Sequence, residues 1–171
     1  MNGGRQAVWK ALMRTTTMIL LAVALASCAV EPKSEPVDIE QMNKDALGPP
    51  VPITLEPITF ARIEGDGLFG AGCNFSETQG GDLLLIAQGE YAAFLLDGEV
   101  VKASPDMGSD ELSYAARAKY DGMANSIRLE LDETSGAQSG METVSYPGAL
   151  TITDDRDRPV YSAKGYFDCG A

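Results

Sequence analysis

The chain has 171 residues, 44% of them hydrophobic, and its 25 Asp and Glu outnumber 13 Lys and Arg for a formal net charge of −12. That acidity opposes association with nucleic acid or anionic lipid headgroups, and the length suits one domain with a real core. The chain contains no histidine, which rules out Ser-His-Asp and Cys-His nucleophile arrangements and His-ligated zinc, copper and iron sites.

Residues 1–27 carry Arg5, Lys10 and Arg14 and no acid ahead of the apolar run Met18 to Ala26, which small residues close. This is the layout of a signal peptide, and the run is too short to span a bilayer. Its last residues, Leu25-Ala26-Ser27-Cys28, resemble the lipobox of bacterial lipoproteins. In that family the cysteine is diacylated on sulfur, the peptide is cut before it, and its new amino group is often acylated. The resemblance covers the N-terminus and implies that Cys28 is the first mature residue and the lipidation site. Two or more acyl chains meet the requirement for stable anchoring, since one chain holds only marginally. Ala29 follows the cysteine. In Gram-negative lipoproteins an Asp there favours inner-membrane retention, so the resemblance implies the outer membrane, facing the periplasm. Cleavage would remove three of the 13 cations and none of the 25 acids, leaving −15.

Residues 28–57 read as the lipidated cysteine and a tether. Six of the nine prolines fall there (Pro32, Pro36, Pro49, Pro50, Pro52 and Pro57) among Glu, Asp, Lys and Ser. Such sequence is extended and semi-rigid at about 3 Å per residue, and no core is expected from it. A short amphipathic turn is expected over Ile39 to Leu47.

From Ile58 to Ala171 the apolar residues recur with period two. Leu83–Ala87 reads as a buried strand, and Asp97-Gly98, suited to a type I′ turn, joins Tyr91–Leu96 to Glu99–Ala103 in a hairpin. Leu112, Tyr114, Ala116, Ala118 and Tyr120 share one face of a half-buried strand. Past the turn Asp121–Asn125, that strand pairs with Ser126–Asp132, whose Ile127, Leu129 and Leu131 point inward. Residues 133–142 read as a long loop, and a last pair joins Ala149–Thr153 to Val160–Phe167 through the charged turn Asp154–Pro159. Strands at roughly ten-residue spacing without a convincing amphipathic helix predict an all-β domain, an antiparallel barrel or sandwich of about seven or eight strands.

With Cys28 assigned to lipid, Cys73 and Cys169 remain as an even pair, and an envelope compartment makes a disulfide their default. Cys73 lies near the first strand and Cys169 follows the last, so the bridge would pin the two ends of the domain together. Closing a loop of about 100 residues would stabilise the fold by roughly 4–5 kcal/mol in the chain-entropy model. The two are not in a Cys-x-x-Cys arrangement, so the bridge is read as structural rather than redox-active.

The acidic clusters are Glu64 with Asp66, then Asp106, Asp110 and Glu111, then Asp154, Asp155 and Asp157. The last lacks the central Gly and distal Glu of a calcium loop, and Arg156 and Arg158 neutralise it, so it reads as a solvated hairpin turn. Paired carboxylates serve glycosidases only at a set geometry, which nothing in this spacing specifies. The run Gly65–Gly72 lacks the strand and helix context of a phosphate loop and reads as a turn or bulge leading into Cys73. No catalytic residue, metal or cofactor is expected.

A small acidic envelope lipoprotein of antiparallel strands with a cysteine near each end of its domain is similar in outline to the membrane-bound inhibitors of C-type lysozyme, whose acidic barrel meets a basic enzyme. That family carries a Ser-Gly-x-x-Tyr loop. Here Ser135-Gly136 runs into Ala137-Gln138-Ser139, and Ser139-Gly140 into Met141-Glu142-Thr143, so no inhibitory residue carries over. Gly72–Phe75 and Gly165–Cys169 also look like small bacterial β-domains, a likeness of fold alone. The expected function is a non-enzymatic envelope lipoprotein, structural or adaptor-like, held to the membrane by its lipid. The alternative is an inhibitor or scavenger of a basic envelope or foreign protein such as a lysozyme.

Overall fold

A computed structural model describes residues 38–171. The expected signal peptide, Cys28 and the first part of the expected tether lie outside the described residues. The chain divides into two units at Leu47 and Gly48. In the first, helix α1 (Ile39–Leu47) forms where an amphipathic turn is expected. The Asp38 carboxylate accepts the Gln41 N–H at 3.0 Å, capping the helix start, and Lys44 pairs with Glu40 one turn earlier at 3.1 Å. None of its residues is buried.

The second unit, Gly48–Ala171, holds nine strands: β1 (Gly72–Ser76), β2 (Leu85–Gln88), β3 (Ala92–Leu96), β4 (Glu99–Pro105), β5 (Lys119–Asp121), β6 (Ser126–Leu131), β7 (Ala137–Gln138), β8 (Val144–Thr153) and β9 (Pro159–Gly170). All pairings are antiparallel, in the order β6-β5-β4-β3-β2-β1-β9-β8, and β6 pairs with β8 to close the ring. The domain is therefore an eight-stranded barrel rather than a sandwich, with β7 as an extra strand on β8. Closure leaves few sheet edges to protect.

Alternation decides which residues fill the interior. Phe75, Leu85, Phe94, Tyr120, Ile127, Leu129, Leu150, Ile152 and Phe167 are buried in one cluster with the cysteines. Cys73 and Cys169 stand directly opposite on β1 and β9, with Cα atoms 4.0 Å apart and the sulfurs bonded. Cys169 lies within the last strand, because β9 runs on to Gly170 rather than stopping at Phe167.

A second cluster of Ile58, Leu68, Ile86, Ala93 and Leu95 lies outside the ring. Helix α2 (Phe60–Asp66), capped by Thr59 and ended by left-handed Gly67, brings Ile63 onto that cluster. This short helix, which apolar periodicity did not reveal, explains why β2 and β3 are buried on both faces.

Residues 48–57, expected in the tether, belong to the compact unit. The Ile53 N–H donates to the Val160 carbonyl on β9, the Glu56 N–H to Leu95 on β3, and the Ile58 N–H to Leu83 before β2. The segment thus crosses one mouth of the barrel and lowers Leu55 into the interior cluster. The prolines suit this crossing because such backbone forms few bonds of its own.

The strand expected over Leu112–Tyr120 shrinks to Lys119–Asp121. Ser113–Ala115 form a 3₁₀ turn instead, and Tyr114 and Ala115 are left-handed, with φ of 56° and 61°. Alternation does place Ala116 and Tyr120 inside, but Tyr114 is exposed. Residues 133–142 are also more ordered than a plain loop, holding a 3₁₀ turn (Glu133–Ser135) and β7.

Candidate functional site

Because the strands alternate in direction, the connections 106–118 and 132–143 emerge at the end opposite the mouth that Leu55 fills. Each is ordered by short polar side chains that bond their own backbone. The Asp132 carboxylate accepts from the Thr134 N–H at 3.1 Å, the Thr134 hydroxyl at 2.6 Å and the Ser135 hydroxyl at 2.7 Å. Those donors hold its carboxyl below the usual range. In the other connection Asp106 accepts from the Gly108 N–H at 2.8 Å, and Arg117 pairs with Glu111 through one nitrogen at 2.8 Å.

The two connections then meet. The Ser113 hydroxyl lies 3.2 Å from Glu133 Oε1 and 3.4 Å from the Tyr146 hydroxyl. The Tyr114 hydroxyl donates to the Glu142 carbonyl at 2.6 Å. Beneath them Cys73 Sγ is 3.5 Å from the Ser113 carbonyl, a contact only, since a disulfide sulfur has no proton to donate. Two consecutive left-handed residues with side chains cost about 1–2 kcal/mol each, and such strain persists where surrounding contacts over-determine it. Here those contacts are the Tyr114 bond to Glu142, the buried Ala116 and Gly89, which presents only backbone to Ala115.

Tyr120 fixes this end from inside. Its hydroxyl donates to the Gln88 carbonyl at 2.8 Å and accepts the Arg117 N–H at 2.8 Å, and burial raises its pKa. Leu112 and Ala116 close the second mouth. Both mouths are thus stoppered and the interior is filled by side chains, so the groups open to another molecule are those of the outer surface. At this end it presents Tyr114, Met141, Glu133, Glu142 and Asp168, where Ser139 Oγ donates to Asp168 at 3.4 Å.

The three acidic clusters stay apart in the fold. Asp66 pairs with Arg62 on α2 at 2.9 Å. Asp154 is held by Arg158 at 2.7 Å at the other end of the barrel. A fourth acidic surface is an open groove of about 510 Å³ on the outer wall, where Glu77, Glu130 and Asp132 flank Lys164 and Tyr166. Two of its acids are already engaged, Asp132 by its own turn and Glu77 by the Tyr161 hydroxyl at 2.8 Å. Burial, then that bond to Glu77, raises the Tyr161 pKa well above the ordinary tyrosine value. Among the described residues no group of three Cys, Asp or Glu is arranged to hold a metal, and no helix is long and apolar enough to cross a membrane.

Of the residues singled out in the sequence, Cys73 and Cys169 come together beneath this end, while Cys28 lies outside the described residues. Asp132 carried a legible signal, an Asp followed by Thr and Ser in capping positions. The left-handed pair Tyr114 and Ala115 carried none, since neither residue type favours that conformation. Compared with protein-family models, curated proteins and solved structures, the chain matches none.

Proposed function

We propose that this protein is a non-enzymatic lipoprotein of the bacterial envelope, anchored through acylated Cys28 in the outer membrane and facing the periplasm, whose barrel is a binding or adaptor module. The observation that carries the reading is the stoppered, side-chain-filled barrel, which leaves ligands to the surface loops. Strain and polar cross-links gather at the end formed by residues 106–118 and 132–143, and recognition is commonly built on loops held by a rigid scaffold. The test is crosslinking in intact envelopes followed by capture, with Cys28→Ala as control. The reading expects one recurrent envelope partner, lost or displaced in the variant. Unmodified Cys28 on mass spectrometry, or uncleaved precursor in the cytosol, overturns the anchoring.

A second reading, sequestration of a basic protein such as a lysozyme, is favoured by the charge of −15 left after cleavage. Electrostatic attraction of that kind steers association and weakens with salt. Titration with lysozymes and cationic peptides at two salt concentrations checks it. Binding that falls with salt supports it, and failure to bind at low salt removes it.

A further inference from the structure

The hairpin β3–β4 rises beyond its neighbours, and its two edges are treated differently. On the β3 side, Glu56 bridges to Leu95, and its carboxylate accepts the Gly98 N–H at 3.1 Å. On the β4 side, β5 is only three residues long and pairs with just Ser104 and Pro105. Glu99 to Lys102 are left as an overhang.

The hydrogen-bonding phase of that overhang follows from the turn. Asp97 and Gly98 both have positive φ, 52° and 77°, and form the two-residue connection between the paired residues Leu96 and Glu99. In such a hairpin the flanking pair is the hydrogen-bonded one. Glu99, Val101 and Ala103 therefore turn their backbone groups toward β3, while Val100, Lys102 and Ser104 turn theirs away. Ser104 meets Asp121. Among the described residues no strand or turn hydrogen-bonds the backbone of Val100 or Lys102 on that side, although Gly122 of the turn after β5 lies close to the Lys102 carbonyl.

We propose that this edge is a docking site for an extended cationic segment of another protein, added as a further strand against Glu99–Lys102. Open edges recruit strands in this way, with the main chain supplying affinity and side chains selecting the partner. Charge selects the occupant. Asp97 and Glu99 are exposed beside the edge; Asp121 at its lower end is already paired with Lys119 at 3.0 Å, and Arg62, which donates to the Gly98 carbonyl at 3.2 Å, is itself paired with Asp66. The ammonium of Lys102 is turned onto the Tyr91 ring, 4.3 Å from its centroid. A second copy of so acidic a chain would meet like charge. The proposal rests on the reading that the partner is basic, and it names the surface that partner uses.

The experiment is amide hydrogen exchange by NMR on the full chain in zwitterionic detergent, alone and with the peptide acetyl-(Lys-Val)3-amide. In the free chain the Val100 and Lys102 amides should exchange at least about tenfold faster than those of Val101 and Ala103. The peptide should slow both by about tenfold, while acetyl-(Glu-Val)3-amide and a lysine peptide N-methylated at its valines should not. Val100→Pro, which deletes an outward N–H, should abolish the effect, and the methylated peptide tests the same point without altering the protein. Protected Val100 in the free chain at all concentrations overturns the open edge. Protection that grows with protein concentration assigns the edge to a second copy and overturns the cationic occupant. Peptide binding without protection at Val100 and Lys102 also overturns it. A basic envelope partner whose crosslinks avoid β4 would sink the edge proposal while leaving the functional reading standing.

Discussion

Gly148 on β8 and Gly165 on β9 face one another in register, and neither position has room for a side chain. A Cβ on Gly148 would run into the Glu130 carbonyl and lie 2.8 Å from the Phe167 ring; one on Gly165 would meet the Ser76 carbonyl and lie 2.8 Å from the Phe75 ring. Those two rings pack together inside with centroids 4.9 Å apart. The glycine pair thus lets the wall bend inward over this aromatic contact in the core. Gly148→Ala and Gly165→Ala should each destabilise the fold by roughly 1–3 kcal/mol, the usual cost of overpacking, read from urea midpoints at unchanged slope. A midpoint unaffected by both would show that the wall can open there freely.

Leu55 makes a similar case for the segment crossing the opposite mouth. It is 7% exposed and belongs to the interior cluster, although the sequence around it reads as tether. Leu55→Ala should cost about 2–5 kcal/mol as a cavity-forming truncation. The exposed Val51, changed to Ala, should stay within about 0.5 kcal/mol of the parent. Equal small effects at both positions would return the segment to the status of a spacer.

The disulfide joins residues 96 apart in sequence. Replacing both cysteines by Ala should lower stability by about 4–5 kcal/mol in the chain-entropy model, and thiol titration of the unfolded, unreduced domain should find neither Cys73 nor Cys169 free. Because Cys73 Sγ lies under the Ser113 carbonyl, proteolysis should also open the chain first near Tyr114 in the variant.

Asp154 gives a pH signature. Its hydrogen-bonded pairing with Arg158 lowers its pKa from 3.8 to about 2, so the folded state favours the charged carboxylate. Its contribution is full above the unfolded value and disappears as the pH falls through about 2. Asp154→Asn should therefore be less stable than the parent near neutral pH, and the two urea midpoints should converge as the solution is acidified. A gap that persists to the lowest pH would mean that the variant disturbs the turn by some other route, such as the Arg156 and Arg158 N–H bonds that the same carboxylate accepts.

The hairpins were legible in the chain because their signals are local. Asp97-Gly98 specifies its turn through the φ values those residues tolerate, and Ile127, Leu129 and Leu131 declare their buried face by alternation alone. The same reading overextended the strand at Leu112–Tyr120, where alternation of Leu112, Tyr114 and Ala116 mimics a strand. The Tyr114 bond to Glu142, 28 residues away, helps hold the backbone in another conformation. A pairwise contact between distant segments leaves no trace in a local pattern.

The sequence by itself determined an all-β domain, its hairpin turns, its acidity and the two cysteines available to bridge, since each depends on residue type and short-range spacing. Only the tertiary structure decided that the sheet closes into a barrel, that Leu55 and Ala116 stopper its mouths, and that β4 keeps an unpaired edge beside β5. Those outcomes depend on strand register and on which residues meet across the ring, and period-two patterning is equally satisfied by a sandwich or a barrel.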